Sequence, residues 1–407
     1  MSEHKYQPVP SETADHPSLR NISPAESLLH RRGADFDHAF TVFRDRVYVA
    51  EISCENRPKD HCRILACSLD THEWETTWAD YIPESGGVPE PSASSRIGAV
   101  SDPGGGEALY ARFASPRGSV LLRMESRGRF REVSDLGETV ERYLSFEQLL
   151  TWNGQQIGLA ANETGRDARL QRLTERDGEW QAEPVTELVG GDNRSVSALA
   201  GFHGALYAAT VNPESGFELW KLQEDGREGP TWQVVVDNGA HRFVHNQQVF
   251  SMQVHDGALF LAAGTPADEQ TPESKFFDYR GFEILRLEAD GHWDLMVGIP
   301  RFSPRGIIVP FSGLGPGLDP RRHTDFGCWV SRAGRLVLGV MDEEGFRLWA
   351  SERGEEWDLL PEPAFSDIYQ VDRCRMYSAG DGLVLVLETT DLDGDEQTQI
   401  WTDSLAP

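Results

Sequence analysis

The sequence contains no long hydrophobic run and comparatively few positive charges. No stretch of about eighteen apolar residues is present, and the N-terminal segment Met1–Asn21 is polar, so neither a transmembrane helix nor a secretory signal is indicated. Basic residues number 38 against 66 acidic residues, which gives a formal net charge of −28. This charge would repel phosphate backbones and anionic lipids. The sequence therefore predicts a soluble cytoplasmic protein that binds neither nucleic acid nor membranes.

Cysteine is also scarce. The five cysteines are odd in number and have no framework spacing, so we predict structural thiols in a reducing compartment; they are Cys54, Cys62, Cys67, Cys328 and Cys374. The alternative is a soft metal bound by Cys54, His61, Cys62 and Cys67, although their spacing matches no zinc pattern.

Several functional motifs are absent. The glycine clusters at Gly104–Gly106 and Gly313–Gly317 open no predicted helix, and no Gly-x-Ser-x-Gly turn is convincing, so nucleotide chemistry and a serine nucleophile are not indicated. An acidic loop with Asp391, Asp393 and Asp395 resembles half of a calcium loop by its alternate-residue spacing. Its glycine is misplaced and the closing glutamate is missing, which favours a solvated hairpin tip with calcium as the alternative.

The sequence does contain a repeat. An apolar strand, a polar loop, a glycine-led second strand, a charged turn and a tryptophan recur in this order, most clearly around Gly216–Trp220, Gly281–Leu285 and Gly345–Trp349. The copies are about fifty residues apart, a period typical of radially repeated β-sheets. The fold class predicted is therefore all-β, a seven-bladed β-propeller, with six blades as the alternative.

The predicted domain boundaries follow from this repeat. Residues 35–407 form the propeller, and residues 1–34, which are rich in proline and polar residues, form a flexible N-terminal tail. The last blade lacks a fourth strand, so a segment near Ile22–Leu29 closes the ring or the blade is short. The predicted first strands are Phe36–Phe43, Ser95–Ser101, Tyr143–Trp152, Ser195–Phe202, Val249–His255, Phe326–Ser331 and Arg373–Ala379.

An aromatic residue follows the third strand in most copies. We expect these side chains to pack between neighbouring blades, because a ring that recurs at one repeat position usually belongs to the core; they are Trp74, Phe130, Trp180, Trp232, Trp293 and Trp357. The turn followed by tryptophan resembles the degenerate Asp-box and kelch-like repeats of the β-propeller superfamily. This resemblance implies the fold and no particular chemistry.

Candidate functional residues lie where the first strands begin, because these loops surround the central channel of a propeller. We predict His245, His323, Asp325 and Tyr143 as catalytic residues. His323, oriented by Asp325, would act as base, and Tyr143 or His245 would act as acid. Substrate-binding residues are predicted at Asp37, His38, Arg96, Arg194, Asn246, Arg322, Arg373 and Phe311.

Two insertions interrupt the repeat at residues 265–280 and 298–322. The second carries apolar residues that belong to no predicted strand, so we expect it to form a lid that buries them over the channel mouth. The alternative is an insertion packed on the outer rim.

The favoured functional hypothesis is a cofactor-independent acid/base enzyme, such as a cyclase, lyase, isomerase or hydrolase, that acts on a small molecule in the channel mouth. One alternative is a transition metal held by His38, His245 and His323. A second is a protein-interaction scaffold whose acidic surface attracts a basic partner. The oligomeric state is not predicted.

Overall fold

The computed structural model describes residues 19–24, 36–54, 60–82, 92–101, 107–126, 128–133, 148–152, 155–160, 169–176, 179–184, 192–224, 230–266, 281–304, 306–319, 324–342, 345–361, 370–379, 382–390 and 396–403. In these ranges no helix is long and apolar enough to cross a membrane.

The described residues form seven four-stranded antiparallel sheets and one two-stranded hairpin. Sheet 1 contains β2 (Phe36–Phe43), β3 (Arg46–Ser53), β4 (His61–Ser68) and β5 (Trp74–Tyr81). Sheet 2 contains β6 (Ser94–Ser101), β7 (Glu107–Ser115), β8 (Gly118–Ser126) and β9 (Arg129–Glu132). Sheet 3 contains β10 (Gln148–Trp152), β11 (Gln155–Ala160), β12 (Arg169–Arg176) and β13 (Glu179–Pro184).

Sheet 4 contains β14 (Ser195–Phe202), β15 (Ala205–Val211), β16 (Leu219–Glu224) and β17 (Pro230–Val236). Sheet 5 contains β18 (Gln248–His255), β19 (Ala258–Gly264), β20 (Glu283–Leu287) and β21 (Trp293–Val297). The hairpin of β22 (Arg301–Ser303) and β23 (Gly306–Ile308) precedes sheet 6, which contains β24 (Asp325–Arg332), β25 (Arg335–Asp342), β26 (Gly345–Ser351) and β27 (Asp358–Leu359).

Sheet 7 joins the two ends of the chain. Its strands are β28 (Gln370–Ala379), β29 (Gly382–Thr390), β30 (Glu396–Asp403) and the N-terminal strand β1 (Leu19–Asn21), which pairs antiparallel with β30. The fourth strand of the last sheet thus comes from the N-terminal segment, just before the region suggested by the sequence. The rest of the predicted tail, residues 1–18 and 25–34, lies outside the described residues.

The first strands begin close to the predicted positions, although the third, expected from Tyr143, is described only from Gln148. Second strands such as β19 are buried along their whole length, whereas the outer strand β5 is largely exposed. A strand covered by neighbouring sheets on both faces needs a continuous apolar sequence such as ALFLAAG, and an outer strand does not.

Consecutive sheets share apolar clusters. Five such clusters join sheets 1 and 2, 3 and 4, 4 and 5, 5 and 6, and 6 and 7, and a further cluster joins sheet 7 to sheet 1. Predicted aromatic side chains pack into these clusters, with Phe130 between sheets 1 and 2, Trp293 between sheets 4 and 5, and Trp74 between sheets 7 and 1, while the side chain of Trp180 lies outside the described residues. The prediction that these rings pack between sheets is confirmed at these positions.

The cysteine prediction is wrong for one pair. Cys328 and Cys374, on the first strands of sheets 6 and 7, form a disulfide across 46 residues of sequence. Cys54, Cys62 and Cys67 are thiols and take no part in a disulfide among the described residues. Burial raises the pKa of Cys67 to about 12, so this thiol stays protonated and unreactive.

The alternative of a metal bound by the cysteines is also wrong. Cys62 and Cys67 are five residues apart on β4 and therefore point to opposite faces of sheet 1. Cys62 packs between sheets 1 and 2, and Cys67 packs between sheets 7 and 1. A sheet separates the two thiols, so they cannot bind the same ion.

The second insertion is buried only in part. Phe311 N and Ser312 N donate to the carbonyls of Leu295 and Met296, at distances of 2.9 and 3.0 Å, so this part of the insertion lies along the outermost strand of sheet 5. Phe302 and Ile307 in the hairpin are 82% and 65% exposed. The burial expected for Phe302 and Ile307 is wrong, because the insertion satisfies its backbone at the sheet edge and leaves these side chains in solvent, whereas Leu314 and Leu318 pack into the apolar cluster between sheets 5 and 6. The first insertion is described only at residues 265–266.

Candidate functional site at the junction of sheets 4 and 5

Most of the predicted functional residues that the structure describes lie at the end of the sheets where each first strand begins, which we call the upper end. At sheet 1, Asp37 Oδ2 accepts hydrogen bonds from the backbone N of Ser95 at 2.6 Å and from its Oγ at 3.0 Å. The guanidinium of Arg96 lies 3.8 Å from the same oxygen. Asp37 and Arg96 thus tie sheet 1 to sheet 2.

His38 makes the equivalent tie on the other side of sheet 1. Its Nε2 lies 2.8 Å from Oγ1 of the buried residue Thr398 in sheet 7. Across the strand pair, His38 faces Glu51, which is fully buried and accepts a 2.6 Å hydrogen bond from Arg63 Nε. We call Asp37, His38, Glu51, Ser95 and Thr398 the sheet 1 cluster. Its polar groups hold three sheets together.

Four other predicted residues lie apart from this cluster. Arg194 joins the sheet ladder through its backbone N, which donates to Val211 O at 2.8 Å. Arg373 is 62% exposed and lies 3.9 Å from Glu388, and Asp325 is exposed at the start of β24. Phe311 packs on the guanidinium of Arg286, 5.7 Å from its ring centre, beside the outer strand. Tyr143, Arg322 and His323 lie outside the described residues.

His245 and Asn246 belong to a second group, built on the connection between sheets 4 and 5. This connection contains a one-turn helical segment, Asn238–His241, and a short 3₁₀ turn, Phe243–His245. Asn238, Gly239, Ala240 and His241 all have positive φ, at 50°, 57°, 55° and 63°. The turn is therefore left-handed, and each residue with a side chain costs about 1–2 kcal/mol relative to the right-handed form.

Close backbone packing holds the left-handed turn in place. Gly239 N donates to Phe217 O at 2.9 Å, and a Cβ on Gly216 would lie 2.6 Å from Gly239 N. Gly216 itself has φ of 91°, so only glycine fits both its conformation and the approach of the turn. Strained backbone of this kind persists only where the surroundings hold it, and it clusters at functional sites.

Glu283, the first residue of β20, lies at the centre of the group and is fully buried. Its Oε2 accepts from Asn246 Nδ2 at 2.7 Å. Its Oε1 accepts from Ile299 N at 2.9 Å and from Arg301 Nη1 at 2.8 Å. Arg242, 6% exposed, lies 3.8 Å from Oε1. Two guanidinium groups therefore converge on a single buried carboxylate.

The rest of the group ties this carboxylate to the strained turn. Arg301 Nε donates to Ala240 O at 2.8 Å, and Asn246 Nδ2 donates to Gly239 O at 3.1 Å. We call Arg242, His245, Asn246, Glu283 and Arg301 the sheet 5 cluster.

The electrostatics of the cluster act on His245. Burial is the largest cause of a lowered pKa for this imidazole, and the nearby positive charge of Arg242 adds to it, while Glu283 acts in the opposite direction. His245 is therefore neutral at neutral pH, the form that can accept a proton.

The sequence interpretation found His245 and Asn246 but missed Arg242, Glu283 and Arg301. A signal was present, because Glu218 and Glu283 follow Gly-Phe at the same position of the repeat. Glu218 is held by neutral donors, Asn193 Nδ2 at 2.6 Å and Trp220 Nε1 at 3.0 Å. The repeat position alone does not distinguish a carboxylate bound to an amide and an indole from one bound to arginines.

Within the described ranges, no group of three histidine, cysteine, aspartate or glutamate residues could hold a metal ion. His323 and the acidic loop with Asp391, Asp393 and Asp395 lie outside these ranges. The histidine-metal and calcium alternatives therefore stay predictions.

No family model matches the chain, and no curated protein matches it. Solved structures do match. Polysaccharide lyase Uly1 superimposes with a TM-score of 0.53 at 10% identity, over 90% of both chains. An ancestral GH74 enzyme superimposes with a TM-score of 0.50 at 12% identity, over 90% of this chain and 47% of that one. The β-propeller domain of the Trilobed protease from Pyrococcus furiosus gives a TM-score of 0.46 at 9% identity, over 91% and 99% of the two chains.

The fold is that of a β-propeller. In a propeller the upper ends of the sheets surround a common axis, and binding sites form preferentially in such concavities. Both clusters lie at this end of the propeller, on different sheets.

Proposed function

We propose that the seven sheets are the blades of one closed, seven-bladed ring. Six shared apolar clusters support this arrangement, because each joins sheets that are consecutive in sequence or the last sheet to the first. The first strands of sheets 1 and 2, and of 3 to 7 in succession, also contact one another, as expected for strands around an axis.

We propose further that this propeller is a small-molecule enzyme that works by acid/base chemistry at the sheet 5 cluster. The observation that carries the proposal is His245, a half-buried imidazole whose pKa is lowered by burial and by Arg242, a buried guanidinium that shares Glu283 with Arg301. His245 would act as the base, the reverse of the acid role that the sequence suggested.

The arginines define the class of reaction. A base that removes a proton leaves negative charge on the substrate, and fixed positive groups in a water-poor site stabilise that charge in the transition state. Arg242 and Arg301 would supply this stabilisation, and Glu283 would hold them in place. Elimination and isomerisation both begin with such a proton abstraction, so a lyase or isomerase is favoured among the acid/base enzymes.

Hydrogen exchange tests this function whatever the product turns out to be. The protein is incubated in D2O with a panel of neutral and acidic saccharides and hydroxy acids, and NMR follows the loss of C–H signals and the appearance of unsaturated products. Saccharides are included because the chain superimposes on a polysaccharide lyase and on a GH74 enzyme. We expect exchange or elimination for at least one compound, and its loss in His245→Ala. Equal rates for the wild type and a folded His245→Ala variant would contradict the proposal.

A second candidate is a protein-interaction scaffold. The observation in its favour is the exposed apolar surface of the second insertion, where Phe302, Ile307, Val309 and Phe311 are each more than half exposed. Exposed apolar patches commonly mark interaction sites, and the net charge of −28 would favour a basic partner. The scaffold function predicts that Phe302→Ser with Ile307→Ser abolishes partner binding and leaves hydrogen exchange unchanged. Loss of exchange with no change in binding would exclude it.

A further inference from the structure

Three buried polar atoms at the upper end of sheets 5 and 6 have no hydrogen-bond partner among the described residues. They are Arg301 Nη2, Gln247 Oε1 and Thr324 Oγ1. The side chain of Arg301 is 9% exposed, Gln247 is 9% exposed and Thr324 is 1% exposed. Native proteins pair almost all such atoms, so three at one end of neighbouring sheets require an explanation.

Their positions connect them to one another. Gln247 and Thr324 are the residues directly before the first strands of sheets 5 and 6, and Arg301 follows the last strand of sheet 5. Gln247 directly follows Asn246 in the sequence, and the side chain of Asn246 donates to Glu283 at 2.7 Å. Thr324 Oγ1 lies beside Gly317, where an added Cβ would approach it to 1.8 Å, and Gly317 N donates to Phe282 O at 2.7 Å. Arg301, which donates to Glu283 Oε1 at 2.8 Å, and Thr324 thus lie near the start of β20, and Gln247 follows a residue that binds Glu283.

The three atoms differ in what they require. Arg301 Nη2 can only donate, and a guanidinium prefers an anionic acceptor. Gln247 Oε1 can only accept, so it requires an O–H or N–H donor, and the hydroxyl of Thr324 can do either. Water can satisfy the amide and the hydroxyl, whereas a carboxylate matches a guanidinium better than water does.

We propose that the sheet 5 cluster binds a small hydroxylated carboxylate. Its carboxylate accepts a hydrogen bond from Arg301 Nη2, and its hydroxyl groups bond to Gln247 and Thr324. This inference rests on the proposed function, because it names the substrate class of the same site.

Three probes of matched size separate the two parts of this ligand. D-Gluconate carries both the carboxylate and the hydroxyls, D-glucitol carries the hydroxyls alone, and hexanoate carries the carboxylate alone. Isothermal titration calorimetry at constant ionic strength measures each. We expect gluconate to bind at least tenfold more tightly than either of the other two.

Variants assign the contacts. We expect Arg301→Gln to weaken gluconate binding at least tenfold and to leave glucitol unchanged. Gln247→Met should weaken the binding of gluconate and of glucitol and leave the binding of hexanoate unchanged. Arg286→Gln is the control, since Arg286 lies in the same sheet and both of its Nη atoms already donate to carboxylates, those of Asp294 and Glu355. This control should bind all three probes like the wild type.

The outcomes separate the inference from the function on which it rests. If gluconate binds no better than glucitol and hexanoate, or if folded Arg301→Gln binds gluconate like the wild type, the inference is wrong even when hydrogen exchange occurs with another compound. If gluconate binds as expected and His245→Ala binds it equally, but no compound exchanges hydrogen, the binding site stands and the acid/base function is wrong.

Discussion

The sheet 1 cluster and the sheet 5 cluster occupy the same end of the propeller and contain similar residue types, yet they are built differently. In the sheet 1 cluster Asp37 binds Ser95 and His38 binds Thr398, each across a sheet boundary and each from within a regular strand. In the sheet 5 cluster the polar residues stand on a left-handed turn, and two arginines share Glu283.

The difference shows which polar residues of the upper end hold the fold together. Short bonds to Ser95 and Thr398 from regular strands strengthen the junctions of sheet 1. Strained backbone and convergent positive charge weaken the protein and therefore need another reason to persist. We interpret this reason as function.

The largest expected effect compares two glutamates at one repeat position. Glu283→Gln leaves Arg242 and Arg301 buried beside a neutral amide, and we expect it to lower the free energy of unfolding by about 3–5 kcal/mol. Glu218→Gln is the matched variant, because Glu218 is held by neutral donors, and we expect a loss of about 1 kcal/mol. Urea denaturation measures both. Equal losses would remove the distinction between the two carboxylates.

A smaller effect tests the strained turn. In Gly216→Ala the new Cβ would lie 2.5 Å from Phe243 O, so the turn must shift, and we expect a loss of about 2–4 kcal/mol together with the His245-dependent activity. Gly204→Ala is the control, with φ of 72° and no atom within 4 Å of the added Cβ. The control should lose about 1 kcal/mol. A turn that tolerated Gly216→Ala as well as the control would not be held as described.

Substitutions in the sheet 1 cluster should change the free energy of unfolding and leave hydrogen exchange on the substrate unchanged. Asp37→Ala removes the acceptor of two hydrogen bonds from Ser95, a buried residue, and we expect a loss of about 1–2 kcal/mol without a change in hydrogen exchange. Asp37→Asn keeps one acceptor oxygen and should restore most of this stability. Loss of exchange in Asp37→Asn would place the sheet 1 cluster in the active site.

The smallest effect concerns pH. The pKa of His245 is lowered in the folded protein. As the pH falls below about 6.5, the imidazole is therefore protonated in the unfolded chain before it is protonated in the native protein. The free energy of unfolding should therefore decrease through this range, and it should be unaffected by His245 at higher pH. In His245→Gln this contribution disappears, which is measured as a flatter pH dependence below about pH 6.5 than in the wild type. A steeper profile in the variant would reverse the sign assigned to the shift.

The repeat predicts much of the fold, because strand alternation and the recurring aromatic residues are local signals. The predicted bounds of Phe36–Phe43 and Ser195–Phe202 match those of the structure, and Trp74 and Trp293 pack where expected. His245 and Asn246 are found for the same reason, since they directly precede a first strand.

Other features depend on contacts that no local pattern encodes. The disulfide joins cysteines on different sheets, and Glu283 meets Arg301 only through the path of the second insertion. The left-handed turn depends on the approach of Gly216 from the preceding sheet. The predicted burial of the second insertion is wrong at its exposed side chains. Apolar composition indicates burial only when the backbone has no free strand edge to bind, and here the backbone of the insertion binds the edge of β21.

We propose that chemistry at the upper end belongs to the sheet 5 cluster, and variants of two histidines test this most directly. Hydrogen exchange in D2O should be lost in His245→Ala and retained in His38→Ala, with both variants folded by circular dichroism. Retained exchange in His245→Ala together with its loss in His38→Ala would contradict the account.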